Sequence, residues 1–194
     1  MYIGHGVFNG CSSLTSLEIL SGVTTIGGDR MFEGCESLES VVIPPTVTSI
    51  GARAFAGCSS LTSIVLPSSV TNIGESAFEG CSGLTSIEIP AGVTSIGDCV
   101  FLGCSGLTSI EIPTCVTSIG DCAFYSCKGL TSVTISENVN SIGYSAFYAC
   151  LSLTSIVVRS KVISIGTGAF YGCGNLGDSS RMEMRRRFGE NVVD

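Results

Sequence analysis

The chain has 194 residues, 44% apolar and 13% charged, with 25 glycines, 11 cysteines and no tryptophan. That length suits one domain with a continuous core, and so little charge beside so much glycine suits many short strands joined by turns. A net charge of −7 and a pI near 4.6 argue against general nucleic-acid affinity and against electrostatic attachment to anionic lipid.

Met1–Gly6 carries no basic segment followed by an apolar one, so no signal peptide is expected. No apolar run approaches the roughly 20 residues that span a bilayer, so no membrane insertion is expected either. As written, the chain is expected in the cytoplasm, or at the cell surface or secreted if it is part of a longer exported protein.

From Phe8 onward three columns share one beat: Phe8, Phe32, Phe55, Phe78, Phe101, Phe124, Phe147, Phe170; Cys11, Cys35, Cys58, Cys81, Cys104, Cys127, Cys150, Cys173; and Leu14, Leu38, Leu61, Leu84, Leu107, Leu130, Leu153, Leu176. The first interval is 24 residues and the others are 23, the extra residue falling in the turn Gly27–Arg30. Chance does not hold three columns in phase, and self-similarity at this period marks a solenoid of leucine-rich repeats.

One unit runs from Leu84 to Gly106. Leu84–Ile89 is a strand with Leu84, Ile87 and Ile89 inward, ended by Pro90, which offers no N–H to a ladder. Val93 and Ile96 belong to a second, shorter extended segment. Gly97 then turns the chain, as do Gly51, Gly74, Gly120, Gly143 and Gly166, and a positive φ is expected there. Asp98–Cys104 is too short for an independent helix and is expected as a helical or 3₁₀ turn with Phe101 in the core. About eight coils at about 4.8 Å each give a rod on the order of 40 Å. The fold class is therefore a strand-rich α/β solenoid over residues 1–176, with a parallel sheet on one face and short turns on the other. A non-repeat tail or cap follows at 177–194.

The pattern L-T-S-I-x-[IL]-P-x-x-V-T-S-I-G-x-x-A-F-x-G-C-S-x, cleanest in Leu61–Gly83 and Leu84–Gly106, resembles the BspA-like leucine-rich repeat family. The resemblance covers about residues 4–176. It implies a surface or secreted protein tied to adhesion, and it brings no catalytic motif.

Candidate chemistry is sparse. The eight ladder cysteines are expected buried and reduced, because stacked side chains run parallel while a disulfide needs converging Cβ atoms. Cys99 and Cys122, beside Asp98 and Asp121, form a short column that could hold zinc, but it lacks C-x₂-C spacing and a nearby histidine; incidental small residues are the better reading. Cys115 stands alone. His5 is the only histidine and has no nucleophile to serve. The serines and threonines repeat at fixed phase and read as ladder residues. No cofactor or metal is expected.

Two surface columns remain. On the sheet face, taken as concave, constant serines (Ser16, Ser40, Ser63, Ser86, Ser109, Ser132, Ser155) flank a variable column of Glu18, Val42, Val65, Glu88, Glu111, Thr134 and Val157. Solenoids place ligand contacts on such columns; a solvated sheet face is the plain alternative. On the other side the residue after each Phe drifts from polar to aromatic: Asn9, Glu33, Ala56, Glu79, Leu102, Tyr125, Tyr148, Tyr171. The tyrosines form either a binding patch or packing against neighbouring turns. In the tail, Arg185–Arg187 is offset by Asp178, Glu183, Glu190 and Asp194; a disordered or loosely helical cap is expected there, although neither end shows a dedicated polar one. The expected function is a non-enzymatic module that binds a protein or glycan partner, or else a spacer that self-associates end to end.

Overall fold

A computed structural model describes residues 4–26, 28–158 and 161–193. The first three residues, and Gly27 of the turn with the extra residue, lie outside these. Each coil folds in three sides, set by its apolar phase. The first side holds strands β1 (Ser16–Glu18), β3 (Ser40–Val42), β5 (Ser63–Ile64), β7 (Ser86–Ile87), β9 (Ser109–Glu111), β11 (Ser132–Thr134) and β13 (Ser155–Val157). The second holds β2 (Thr25–Ile26), β4 (Ser49–Ile50), β6 (Asn72–Ile73), β8 (Ser95–Ile96), β10 (Ser118–Ile119), β12 (Ser141–Ile142) and β14 (Ser164–Ile165). Among the described residues seven coils thus carry both strands, one fewer than the eight or so expected.

Pairing is parallel and in register, Ser16 with Ser40 and Ser118 with Ser141, so each side chain stacks on its counterpart one coil away. Threonine hydroxyls reinforce this: Thr85, Thr108, Thr131 and Thr154 each reach back to the carbonyl of the preceding coil's threonine.

The inward files form one core. Phe32, Phe55, Phe78, Phe101, Phe124 and Phe147 are fully buried, and successive rings from Phe8 to Phe170 stack nearly parallel with centroids 5.0–5.7 Å apart. Each interior cysteine sits beside this file and donates its thiol to the phenylalanine carbonyl one coil back, as from Cys58 to Phe32 and from Cys104 to Phe78. The hydrogen bond is why a small thiol fits a position that needs both apolar bulk and a donor.

The third side departs from the expected helical or 3₁₀ turns. Alternate amides leave the coil: Arg53, Phe55 and Gly57 donate to Glu75, Ala77 and Glu79 of the next coil, while Ala54, Ala56 and Cys58 close turns on the residue three back. In a helix the N–H groups beyond the first turn bond back within their own segment; here every second one leaves it, and together these build a third intercoil ladder. The turn glycines also differ from expectation. Gly74, Gly97, Gly120, Gly143 and Gly166 have no positive φ. The left-handed positions come later, in one column from Gly6 through Arg30, Arg53, Ser76, Cys99, Cys122 and Ser145 to Gly168, and in a second that includes Gly57, Gly103, Ser126 and Ala149. At Gly74 the reason for glycine is contact: a Cβ would lie 2.5 Å from the Ala52 nitrogen and 2.6 Å from the Gly51 carbonyl carbon.

Ala149, with φ of 55°, bears a Cβ where glycine would be unstrained. Relief of about 1–2 kcal/mol of left-handed strain, less the added chain entropy of the unfolded state, makes Ala149→Gly about 0.5–1 kcal/mol more stable. Urea unfolding checks this, with Ala146→Gly, at a buried position of ordinary φ, expected to lose stability.

Residues 178–188 form helix α1 (Asp178–Phe188), followed by a 3₁₀ turn at Glu190–Val192. Met184, Val192 and Val193 are each 2% exposed and join the core. Arg181 donates to the Cys173 and Leu176 carbonyls, and Arg187 to those of Val158 and Val162. The C-terminal end is therefore closed by an ordered, helical cap where a tail or a disordered or loosely helical cap was expected. Among the described residues no helix is long and apolar enough to cross a membrane.

Candidate binding faces

Alternation along the first-side strands buries Val41, Ile64, Ile87, Ile110, Val133 and Ile156 and turns their neighbours outward. All seven serines of the rail and all seven residues of the variable column, Glu18, Val42, Val65, Glu88, Glu111, Thr134 and Val157, are exposed. Val65 is 80% exposed, a high value for a valine and one that packing does not explain. Between two coils the face dips into an open groove of about 460 Å³ lined by Ser86, Glu88, Ala91, Ser109, Glu111 and Pro113. Both carboxylates are exposed beside it and could accept hydrogen bonds from a ligand. At the far end, Ser179, Ser180 and Glu183 of α1 rise beside Val157 and wall the face off.

On the third side the tyrosines stack on one another. Tyr125 and Tyr148 have centroids 4.7 Å apart and nearly parallel planes, and Tyr148 and Tyr171 are 5.2 Å apart. Ring faces are used within the file, so solvent meets mainly edges and hydroxyls; Tyr171, at the end, is 46% exposed. The polar half of this column holds an ion-pair chain that its spacing conceals. Arg53 bridges Glu33 (2.9 Å) and Glu79 (2.7 Å), while Arg30 reaches Glu33 at 3.2 Å. The sequence offsets are 20 and 26, three to either side of the repeat; a search at ±3 around the period would have found it. The Glu33 contacts raise the Arg53 guanidinium above its ordinary range.

The aspartates proposed beside Cys99 and Cys122 have another task. Asp98 accepts the Asp121 amide at 2.8 Å and Asp121 the Tyr144 amide at 2.6 Å, each fixing the next coil's backbone. His5 serves likewise, its Nδ1 accepting the Asp29 amide at 3.0 Å. Among the described residues no group of three or more His, Cys, Asp or Glu side chains is placed to share a metal ion.

All eleven cysteines are free, and Cys35 through Cys173 of the ladder are buried. Cys11, expected to be buried, is exposed because no coil lies before it among the described residues. Burial pushes the Cys58 and Cys127 thiols up to about 12 and holds those of Cys81 and Cys104 well above the ordinary thiol range. The unfolded chain releases these protons near pH 9 while the fold retains them, so unfolding stability is full below about pH 9 and falls from there to about pH 12. Alkaline titration followed by circular dichroism checks this, and Cys58→Ala with Cys127→Ala should flatten the fall. Alkylation at pH 8 should label Cys11 quickly and Cys58, Cys81, Cys104 and Cys127 only on unfolding.

The pattern of the BspA-type leucine-rich repeat region matches residues 1–113 and 94–192 in six copies. The chain belongs to that family. Among solved structures, a leucine-rich-repeat protein of T. pallidum is 27% identical with a TM-score of 0.74, covering 99% of this chain and 79% of that one. A leucine-rich repeat protein from Eubacterium ventriosum is 29% identical with a TM-score of 0.73, covering 82% and 43% of the two chains. One from Bacteroides ovatus is 29% identical with a TM-score of 0.56, covering 90% and 57%. None of the curated proteins compared matches the sequence. The BspA-type match continues through the 3₁₀ turn, and Gly189 lies 23 residues after Gly166. This BspA-type chain thus keeps its period into the tail, with α1 standing where two strands would be.

Proposed function

We propose that the chain is a non-catalytic interaction module of adhesion type that engages a protein or glycan partner through its first-sheet face. The observation that carries the reading is the exposed variable column, in which Val65 and Glu88 differ in kind while the serines beside them never change. An extended partner laid along the rod would meet one serine hydroxyl and one variable side chain per coil. A rigid scaffold lowers the ordering cost of such binding. The non-catalytic part draws support from the engagement of His5 and of the threonine hydroxyls in intercoil hydrogen bonds.

The test is a screen of the folded chain against a glycan array and a displayed peptide library. Binders are expected to be lost on Val65→Glu and on the pair Glu88→Lys with Glu111→Lys, and retained on Tyr125→Ser with Tyr148→Ser and Tyr171→Ser. Binding that follows the tyrosines instead would move the site to the third side, and binding indifferent to both sets would remove the reading.

A further inference from the structure

Most of the thiols have an acceptor one coil back. The ladder from Cys35 to Cys173 donates to phenylalanine carbonyls, and Cys115 donates to the Val93 carbonyl at 3.0 Å. Cys99 and Cys122 are held differently. They occupy equivalent places in adjacent coils, both half-buried and both at left-handed backbone, with φ of 57° and 53°. The same pair of bonds pins each. The Cys99 amide donates to Asp121 and the Leu102 amide to Cys99, while the Cys122 amide donates to Tyr144 and the Tyr125 amide to Cys122. Matching backbone sends both side chains the same way, and the two thiols lie within hydrogen-bonding reach of each other.

Spacing and ligand count decide what such a pair can hold. Coils in a parallel ladder rise about 4.8 Å, and the Phe101 and Phe124 rings, two residues further on, stand 5.3 Å apart. Two metal–thiolate bonds of about 2.3 Å, placed in line, span about 4.6 Å. A disulfide needs Cβ atoms about 3.8 Å apart, closer than stacked residues come. A tetrahedral zinc ion needs two further ligands, and among the described residues no third His, Cys, Asp or Glu side chain is placed to join the pair. Thiolates select soft ions, and those that take two ligands in line need no third. Charge narrows the choice. Asp98 lies near both thiols, Asp121 near Cys122, and Glu75 and Glu79 near Cys99. Capture of an ion breaks two S–H bonds, forms two metal–sulfur bonds and releases two protons. A divalent ion then leaves a neutral bridge, whereas a monovalent one leaves an anion among carboxylates.

We propose that Cys99 and Cys122 form a two-coordinate site for a soft metal ion, bridged sulfur to sulfur across adjacent coils, and that it takes mercury(II) in preference to copper(I). The site is separate from the first-sheet face, and an occupied bridge ties two coils together in the middle of the rod.

The test is native mass spectrometry of the full chain with mercury(II) chloride and an excess of a competing monothiol. One ion should be kept per chain. Cys99→Ser and Cys122→Ser should each lower the apparent affinity by about 100-fold or more, the gain that a second tethered ligand supplies. Serine suits this backbone, since Ser76 and Ser145 sit at left-handed positions of the same column. Cys11→Ser and Cys115→Ser should leave the ion in place, and X-ray absorption should find two sulfurs at about 2.3 Å. Copper(I) offered in the same mixture should pass to the monothiol. Retention by either Cys99→Ser or Cys122→Ser, loss on Cys11→Ser or Cys115→Ser, or copper(I) held as firmly as mercury(II) would each overturn the proposal. So would a Cys99–Cys122 disulfide formed in air, because it would show the two sulfurs closer than the bridge requires.

Discussion

Phe101→Ala is expected to destabilise the fold by about 3–5 kcal/mol, the cost of emptying a large buried aromatic site. Phe101 is fully buried, with the Phe78 ring 5.7 Å away on one side and the Phe124 ring 5.3 Å away on the other. These separations are those of offset-stacked rings, which contribute about 0.5–1.5 kcal/mol per pair beyond area burial. The backbones on either side are tied by intercoil hydrogen bonds, so the cavity cannot collapse by sliding coils together. Phe8→Ala, at a half-buried end rung with a single ring neighbour at 5.4 Å, should cost far less. Urea unfolding of both variants measures the difference; equal losses would mean the file is not a shared core.

The second large effect falls on a residue with no side chain. Gly74→Ala is expected to cost about 3 kcal/mol, at the upper end for overpacking. A Cβ at Gly74 meets only backbone, the Ala52 nitrogen at 2.5 Å and its Cα at 2.8 Å, so no rotamer can give way. Relief would require parting two coils and breaking the bond from the Gly74 amide to the Ile50 carbonyl, which is 2.9 Å long. Gly97 occupies the same place in the repeat, yet its nearest neighbours stand at 3.7 and 3.9 Å. Gly97→Ala should therefore be close to neutral. Two glycines at the same place in the repeat should thus differ by about 3 kcal/mol, which thermal unfolding of the pair resolves.

That contrast marks how far sequence reasoning reached. The phenylalanine, cysteine and leucine columns were legible because each is one residue type at one spacing, and a solenoid converts spacing directly into stacking. The inward and outward faces of the strands followed from alternation. The purpose of Gly74 did not, because a chain written in one dimension does not record how near Ala52 comes, and a steric glycine looks the same as a left-handed one. Left-handed backbone at Arg53, Cys99 and Ala149 was equally hidden, since nothing about those residue types announces it. That the tail forms an ordered cap packed on the core was hidden for a different reason. Only Met184 of α1 is buried, so the helix shows no apolar stripe, and the renewed beat at Gly189 is separated from Gly166 by an unrelated stretch. The variable column was legible as exposed, but which of its members bind a partner depends on that partner's shape.

The double-mutant cycle on the aromatic file tests the shared core most directly. Phe78→Leu and Phe101→Leu, made singly and together, should be coupled by about 0.5–1.5 kcal/mol, as stacked neighbours are. Phe32→Leu and Phe147→Leu, five rungs apart, should add independently. Additive losses for the adjacent pair, or coupling as large for the distant one, would contradict a core built coil upon coil.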